Sequence, residues 1–128
     1  MVLSNEVGKI RYTSGDGGYD AHFRENGEKY GPFNIALIEG GQYDPHWPWG
    51  HMAPEQAMQA NLDVNSKEMM LMHWGTFTLV FHSWTDSIER SLKEAKRAGI
   101  NLIAPKIGET FILGPGLSNP PFARWNLN

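Results

Sequence analysis

Apolar and polar positions along this chain alternate between strand-like and helix-like spacing, and each change marks an element. Phe33 to Glu39 (Phe-Asn-Ile-Ala-Leu-Ile-Glu) is a mostly apolar run of strand length, the pattern of a strand covered on both faces in a parallel sheet. Lys67 to His73 holds Met69, Met70, Leu71 and Met72 in succession; methionines alone suit a helix equally well, but the short run and its βα context favour a buried strand. Val7 to Thr13 reads as a further strand, closed by the turn segment Gly15-Asp16-Gly17-Gly18. Two more short strands are expected at Ile100 to Ala104 and Glu109 to Leu113, around Pro105 to Gly108.

Three helices fall between these strands. The first runs from Asp20, its expected N-cap, to Tyr30, with Glu25 and Lys29 paired at i,i+4 and Gly31-Pro32 as the stop. The second spans Pro54 to about Asp63, with Pro54 at the first helical position, Glu55 in the first turn, and Met58 and Leu62 on one face. Asp86 to Ala98 forms the third: Asp86 and Glu89 have capping-box spacing, Ile88, Leu92 and Ala95 share a face, and Gly99 ends it. Strands alternating with helices imply right-handed βαβ crossovers and an α/β fold with a mostly parallel sheet. At 128 residues the chain fits one domain. The expected domain covers residues 1–113, and 114–128 is a Gly-, Pro- and Asn-rich tail that wraps the surface.

Composition narrows the function classes. A formal charge of -3, from 11 Lys plus Arg and 14 Asp plus Glu, gives no electrostatic reason for a nucleic-acid partner. The absence of cysteine removes disulfides and thiolate ligands, leaving His and carboxylates for any metal. No apolar stretch reaches the length of a transmembrane segment, and Met1 to Lys9 does not read as a signal peptide, so a cytoplasmic setting is expected.

Ligands of open α/β sheets gather beyond the carboxyl ends of the strands. That rim receives Asp16 after the first strand, the long Gly40 to Ala53 loop with His46 and His51 after the second, and His73-Trp74-Gly75-Thr76 after the third. One carboxylate and up to three imidazoles are the ligand chemistry of a zinc-type hydrolase. The spacing alone does not fix such a site, since no His-x-His or His-x-x-x-His pair occurs. Asp16 between glycines also reads as an Asx-turn residue, and His73 as a hydrogen-bonded strand-end histidine. His51 also reads as a plain loop residue, His22, His46 and His82 read as solvated surface histidines, and Trp47, Trp49 and Trp74 as packing residues.

Four blocks in order carry a resemblance: Ser14-Gly15-Asp16-Gly17-Gly18-Tyr19, Gly31-Pro32-Phe33-Asn34-Ile35-Ala36-Leu37-Ile38, His51-Met52-Ala53-Pro54-Glu55-Gln56-Ala57 and His73-Trp74-Gly75-Thr76-Phe77. Across residues 8–113 the chain resembles the N-acyl-phosphatidylethanolamine phospholipase D-like and ascorbate-6-phosphate lactonase-like branch of metallo-β-lactamase-fold hydrolases. The resemblance implies half of a four-layer αββα sandwich, with a mixed, mostly parallel sheet and helices on one face. It implies zinc or another divalent transition metal in a two-metal site, with Asp16 as the bridging carboxylate and His73 as a terminal ligand. It implies that His51 is a catalytic-centre residue contacting substrate, with Tyr43 and Trp74 also on the substrate side.

The family usually has Asp-Thr-Gly or Asp-Ser-Gly where this chain has Asp16-Gly17-Gly18, which loses a hydroxyl. Its His-x-His-x-Asp-His motif lies upstream of the matched blocks and does not occur in this sequence, so only part of the metal site is expected here. The implied function is a fragment of a phosphodiesterase or lactonase working by metal-bound hydroxide attack on a small phosphodiester or lactone, inactive until completed by a separate N-terminal half. The alternative is a non-catalytic, self-associating or protein-interaction module. Half of a sandwich leaves one sheet face without its cover, so a homo-oligomer, a dimer in the simplest case, is expected.

Overall fold

The computed structural model describes residues 2–4, 10–75 and 77–111. Its elements follow in the order β1 (Val2–Ser4), β2 (Ile10–Thr13), α1 (His22–Tyr30), β3 (Phe33–Glu39), α2 (Pro54–Asp63), β4 (Ser66–Met72), α3 (Asp86–Ala98) and β5 (Asn101–Ile103). All five strands form one sheet in the order β1-β2-β3-β4-β5, with β1 antiparallel to β2 and the other pairs parallel. The fold is α/β and corresponds to half of a metallo-β-lactamase sandwich. Each parallel strand is added on the same side of its predecessor, so crossovers of one hand bring all three helices to one face, where α1 meets α2 and α2 meets α3.

The register explains which residues fill the core. Tyr12, Ala36, Met69 and Leu102 stand side by side across four strands, and Ile38 stands beside Leu71. This row packs against Phe23 of α1, Ala57, Met58 and Ala60 of α2, and Ile88 and Ala95 of α3. Tyr12 meets the rings of Phe23 and Phe33 at 6.0 and 5.4 Å between centroids, tilted as aromatic quadrupoles favour. On the opposite face, Leu37, Met70 and Met72 are only half-buried.

The α2 and α3 boundaries and β3 agree with the sequence pattern, and the methionine-rich run is a strand, β4, beginning at Ser66. Several local expectations are corrected. Asp20 is not the cap of α1: Ala21 holds that position, with its N–H donating to Asp20 Oδ1. Lys29 lies 5.1 Å from the Tyr30 ring centroid, and a Glu25 pairing is not among the ion pairs of the described residues. Thr85, not Asp86, caps α3, because the Asp86 carboxylate is drawn to Tyr43 and Arg90 instead. Glu109 to Phe111 are not strand; Lys106 N–H instead bonds the Glu109 carboxylate at 2.8 Å, closing a turn. Residues 112–113, the rest of that expected strand, and the 114–128 tail lie outside the described residues, as do residues 7–9 of the first strand. The strand β1 was not foreseen.

Candidate metal centre

The carboxyl ends of β2, β3 and β4 lie side by side, and the loops that leave them are drawn together at two glycines. At Gly18 a β-carbon would stand 2.3 Å from the Trp49 carbonyl oxygen, and at Gly41 one would stand 1.6 Å from the His73 carbonyl oxygen. Only a residue without a side chain permits such backbone approach. The loop after β3 is thereby wedged between the loops after β2 and β4. Ser14 completes the join: its N–H donates to Leu37 O at 2.9 Å and its Oγ accepts the Glu39 N–H at 2.9 Å, extending the β2–β3 ladder one residue past the strand.

Asp16, His51 and His73 meet at this junction. Asp16 Oδ1 lies 3.3 Å from His51 Nδ1 and 3.4 Å from His73 Nδ1. His73 takes a left-handed backbone conformation, φ 63°, uncommon for a residue with a side chain and concentrated at functional sites. These three side chains and Trp74 line a cavity of about 660 Å³ together with Trp47, Phe77 and Leu79. Trp74 is anchored by its indole N–H to Leu71 O at 3.2 Å.

The donor chemistry fits a divalent cation. Two ligand atoms about 2.0–2.1 Å from a tetrahedral ion are separated by roughly 3.3 Å, and both Asp16–imidazole separations match that edge. They are long for hydrogen bonds between charged partners. Asp16, half or more exposed, and His73, partly exposed, are open to an ion from the cavity side.

Glu39 was missed by sequence reasoning. It is fully buried, and its carboxylate accepts the N–H of Gly41 at 3.2 Å and of Met52 at 2.9 Å and faces His51 Nδ1 at 3.1 Å. One atom from each of Asp16, Glu39 and His51 falls within 4.8 Å of the others. The visible signal was an acidic residue closing a mostly apolar strand.

The other expected site residues separate. His46 is exposed and bonded to Asp44, so it does not join the junction; hydrogen bonds from the His46 backbone and ring hold the Asp44 carboxyl below its usual range. His22 lies exposed on α1 against Phe23, the surface position its sequence context implied. Tyr43 stands on the far side of His51, in a second cavity of about 460 Å³ that His51 also lines. Its ring stacks on His82 at 4.2 Å, the Arg90 guanidinium lies 5.1 Å from its centroid, and its hydroxyl donates to Asp86. Burial, with the Asp86 hydrogen bond, pushes the Tyr43 hydroxyl up to about 12 against the opposing Arg90 charge. Burial also raises Asp86, but the hydrogen bonds from Tyr43 and Arg90 outweigh it and leave that carboxyl below its ordinary value. Arg90 reaches across to Glu55 through two bonds of 3.3 and 2.7 Å, tying α3 to α2. Among the described residues no helix is long and apolar enough to cross a membrane.

Comparison with known proteins places this arrangement in a family. An uncharacterized protein of Mycobacterium tuberculosis is 39% identical over 101 residues, 77% of this chain and 27% of the relative. The outer membrane protein RomA of Klebsiella pneumoniae is 41% identical over 64 residues, covering 50% of this chain and 48% of that protein. N-acyl-phosphatidylethanolamine-hydrolyzing phospholipase D 1 of Caenorhabditis elegans is 37% identical over 71 residues, 53% of this chain and 20% of the enzyme. The chain thus spans about a quarter of the length of the mycobacterial relative, 27%. The family model described as the beta-lactamase superfamily domain matches residues 1–74, the segment that carries Asp16, Glu39, His51 and His73, and this chain belongs to that superfamily as a member with the metallo-β-lactamase fold.

Proposed function

We propose that this chain supplies the carboxyl-edge part of a divalent-metal hydrolase site, with Asp16 and His73 as metal ligands and His51 as a group that contacts substrate. The observation that carries this reading is the meeting of Asp16 Oδ1 and His73 Nδ1 at ligand-to-ligand distance, 3.4 Å, beside an open cavity. A zinc-type ion bound there would lower the pKa of a bound water and polarise a phosphoryl or carbonyl oxygen. The chain's own part is positional. Asp16 and His73 present lone pairs from the loops after β2 and β4, and Trp74 gives the cavity an apolar wall on which the non-reacting part of a substrate rests. His51 stands between this cavity and the second one, whose wall includes Tyr43 and Arg90 and where the remainder of the substrate rests. A phosphodiester or a lactone is the substrate class, in keeping with the phospholipase D name of one relative.

Two protein ligands fall short of the three that catalytic zinc sites use, so further ligands come from segments that the longer relatives have outside the matched region, and this chain alone turns over substrate weakly or not at all. Zinc binding followed by calorimetry and elemental analysis tests the ligand assignment. Binding to the chain, abolished by Asp16→Ala and by His73→Ala in folded protein, is the expected result; binding untouched by both substitutions rejects it.

A second reading rests on the sheet face opposite the helices, where Leu37, Met70 and Met72 are half-buried. Such a face associates with a second copy or with another polypeptide, and in that case the chain is an interaction module. Light scattering distinguishes the states: a dimer that Met70→Lys dissociates supports self-association, and a monomer at all concentrations rejects it. A cytoplasmic location accompanies either reading.

A further inference from the structure

The buried carboxylate of Glu39 has no counterpart in the ligand scheme above, yet two backbone N–H groups and a ring nitrogen converge on it. Met52 N–H reaches Oε2 at 2.9 Å, and Gly41 N–H reaches Oε1 at 3.2 Å. Backbone amides only donate, so both oxygens are committed as acceptors. His51 Nδ1 stands 3.1 Å from the same Oε1. A bare Nδ1 lone pair facing that oxygen of the buried Glu39 carboxylate would set acceptor against acceptor, and an unpaired buried polar contact of this kind is costly.

We propose that Glu39 is a positioning residue: it holds His51 as the tautomer with the proton on Nδ1 and thereby leaves Nε2 as the ring's one free lone pair. The Asp16, Glu39 and His51 cluster, compact as it is, is then not a metal-binding trio, because Glu39 and the Nδ1 of His51 are spent on each other. His51 is kept out of the metal shell although its Nδ1 lies as near to Asp16 as His73's does. A second histidine nitrogen is fixed by what the first one bonds. With one ring edge anchored under the β3 loop, His51 presents Nε2 as an acceptor to whatever occupies the two cavities it lines. Glu39 works through His51 and touches neither substrate nor metal.

The inference relies on the proposed function only for the purpose His51 serves; the tautomer is independent of it. Nitrogen-15 NMR of the histidine-labelled full chain, in chelator and at a pH where the rings are neutral, reads which nitrogen carries the proton. A His51 proton on Nδ1 is expected, and a proton on Nε2 overturns the proposal. In Glu39→Gln a single amide oxygen cannot serve both backbone donors and the ring, so the Nδ1–H tautomer loses its dominance in the folded variant; an unchanged tautomer overturns the positioning role. If the Gln variant does not fold, the wild-type measurement decides alone. Zinc is then added to the wild type. Retention of the His51 Nδ1 proton while His73 resonances shift agrees with the proposal, and displacement of that proton by zinc overturns it. A chain that takes up no zinc counts against the metal reading of Asp16 and His73, whereas the tautomer still decides the role of Glu39.

Discussion

The α-carbon of Gly41 lies against the main chain of His73, so close that a β-carbon there would stand 1.6 Å from the His73 carbonyl oxygen. Gln42 holds the same carbonyl through its side-chain amide at 3.3 Å. The imidazole that faces Asp16 therefore owes its place to a loop from a different strand. Gly41→Ala forces one of two backbones to move, since no flexible side chain is available to yield. The expected cost is about 1–3 kcal/mol of stability, as for overpacked interiors, read from urea midpoints. The more specific consequence is a displaced His73 ring, seen as a change in its NMR resonances and a weaker zinc response. Unchanged stability together with unchanged His73 resonances would refute the wedge.

A second glycine gives a prediction whose sign runs against propensity. Gly27 lies inside α1, where alanine ordinarily stabilises a helix by about 1 kcal/mol. Here the added β-carbon would meet the Asp63 carbonyl oxygen at 2.1 Å and the Val64 backbone at 2.8 Å, because α1 crosses the end of α2 at this point. Steric overlap with main-chain atoms exceeds the propensity gain, and Gly27→Ala is expected to lower stability by about 1–2 kcal/mol. Chemical denaturation of wild type and variant measures it; a stabilised variant would show that the α1–α2 crossing is looser than described.

These contacts also mark where the sequence stops being informative. The apolar run of β3, the Pro54 start of α2 and the Gly99 stop of α3 are local signals, and each appears where its spacing places it. The convergence of Asp16 and His73 on one rim followed from the alternation of strands and helices, which sends successive βα loops to the same edge. Glu39 was not legible, because an acidic residue at a strand end reads as solvent-facing until the loop after β3 folds back and delivers the Gly41 and Met52 amides to it. Asp86 had the spacing of a helix cap, but Tyr43 from a distant loop competes for its carboxylate, and nothing local announces that partner. The alternating Glu109 to Phe111 segment has strand spacing without a strand to pair with among the described residues.

The Tyr43–Asp86 bond makes the last prediction one of pH. Burial and the Asp86 carboxylate raise the Tyr43 hydroxyl from 10.0 to about 12 in the folded chain. Between those values the folded state keeps a proton that the unfolded state releases, so the folded state binds more protons and stability falls as pH rises. The contribution is complete below pH 10.0 and gone once the pH has passed about 12. Allowing for solvent screening of a partly accessible group, it amounts to about 1–2 kcal/mol. Tyr43→Phe removes the titrating hydroxyl, and with it a hydrogen bond that contributes about 1 kcal/mol at neutral pH. Lysines and the other tyrosines titrate in both proteins, so the difference between the two curves isolates Tyr43. Wild type is expected to be the more stable at pH 9, with the gap to Tyr43→Phe shrinking steadily as the pH is raised toward 12. A gap that stays constant across this range would mean that the hydroxyl is as open to water in the folded chain as in the unfolded one, and that the Tyr43–Asp86 contact does not hold the wall of the second cavity.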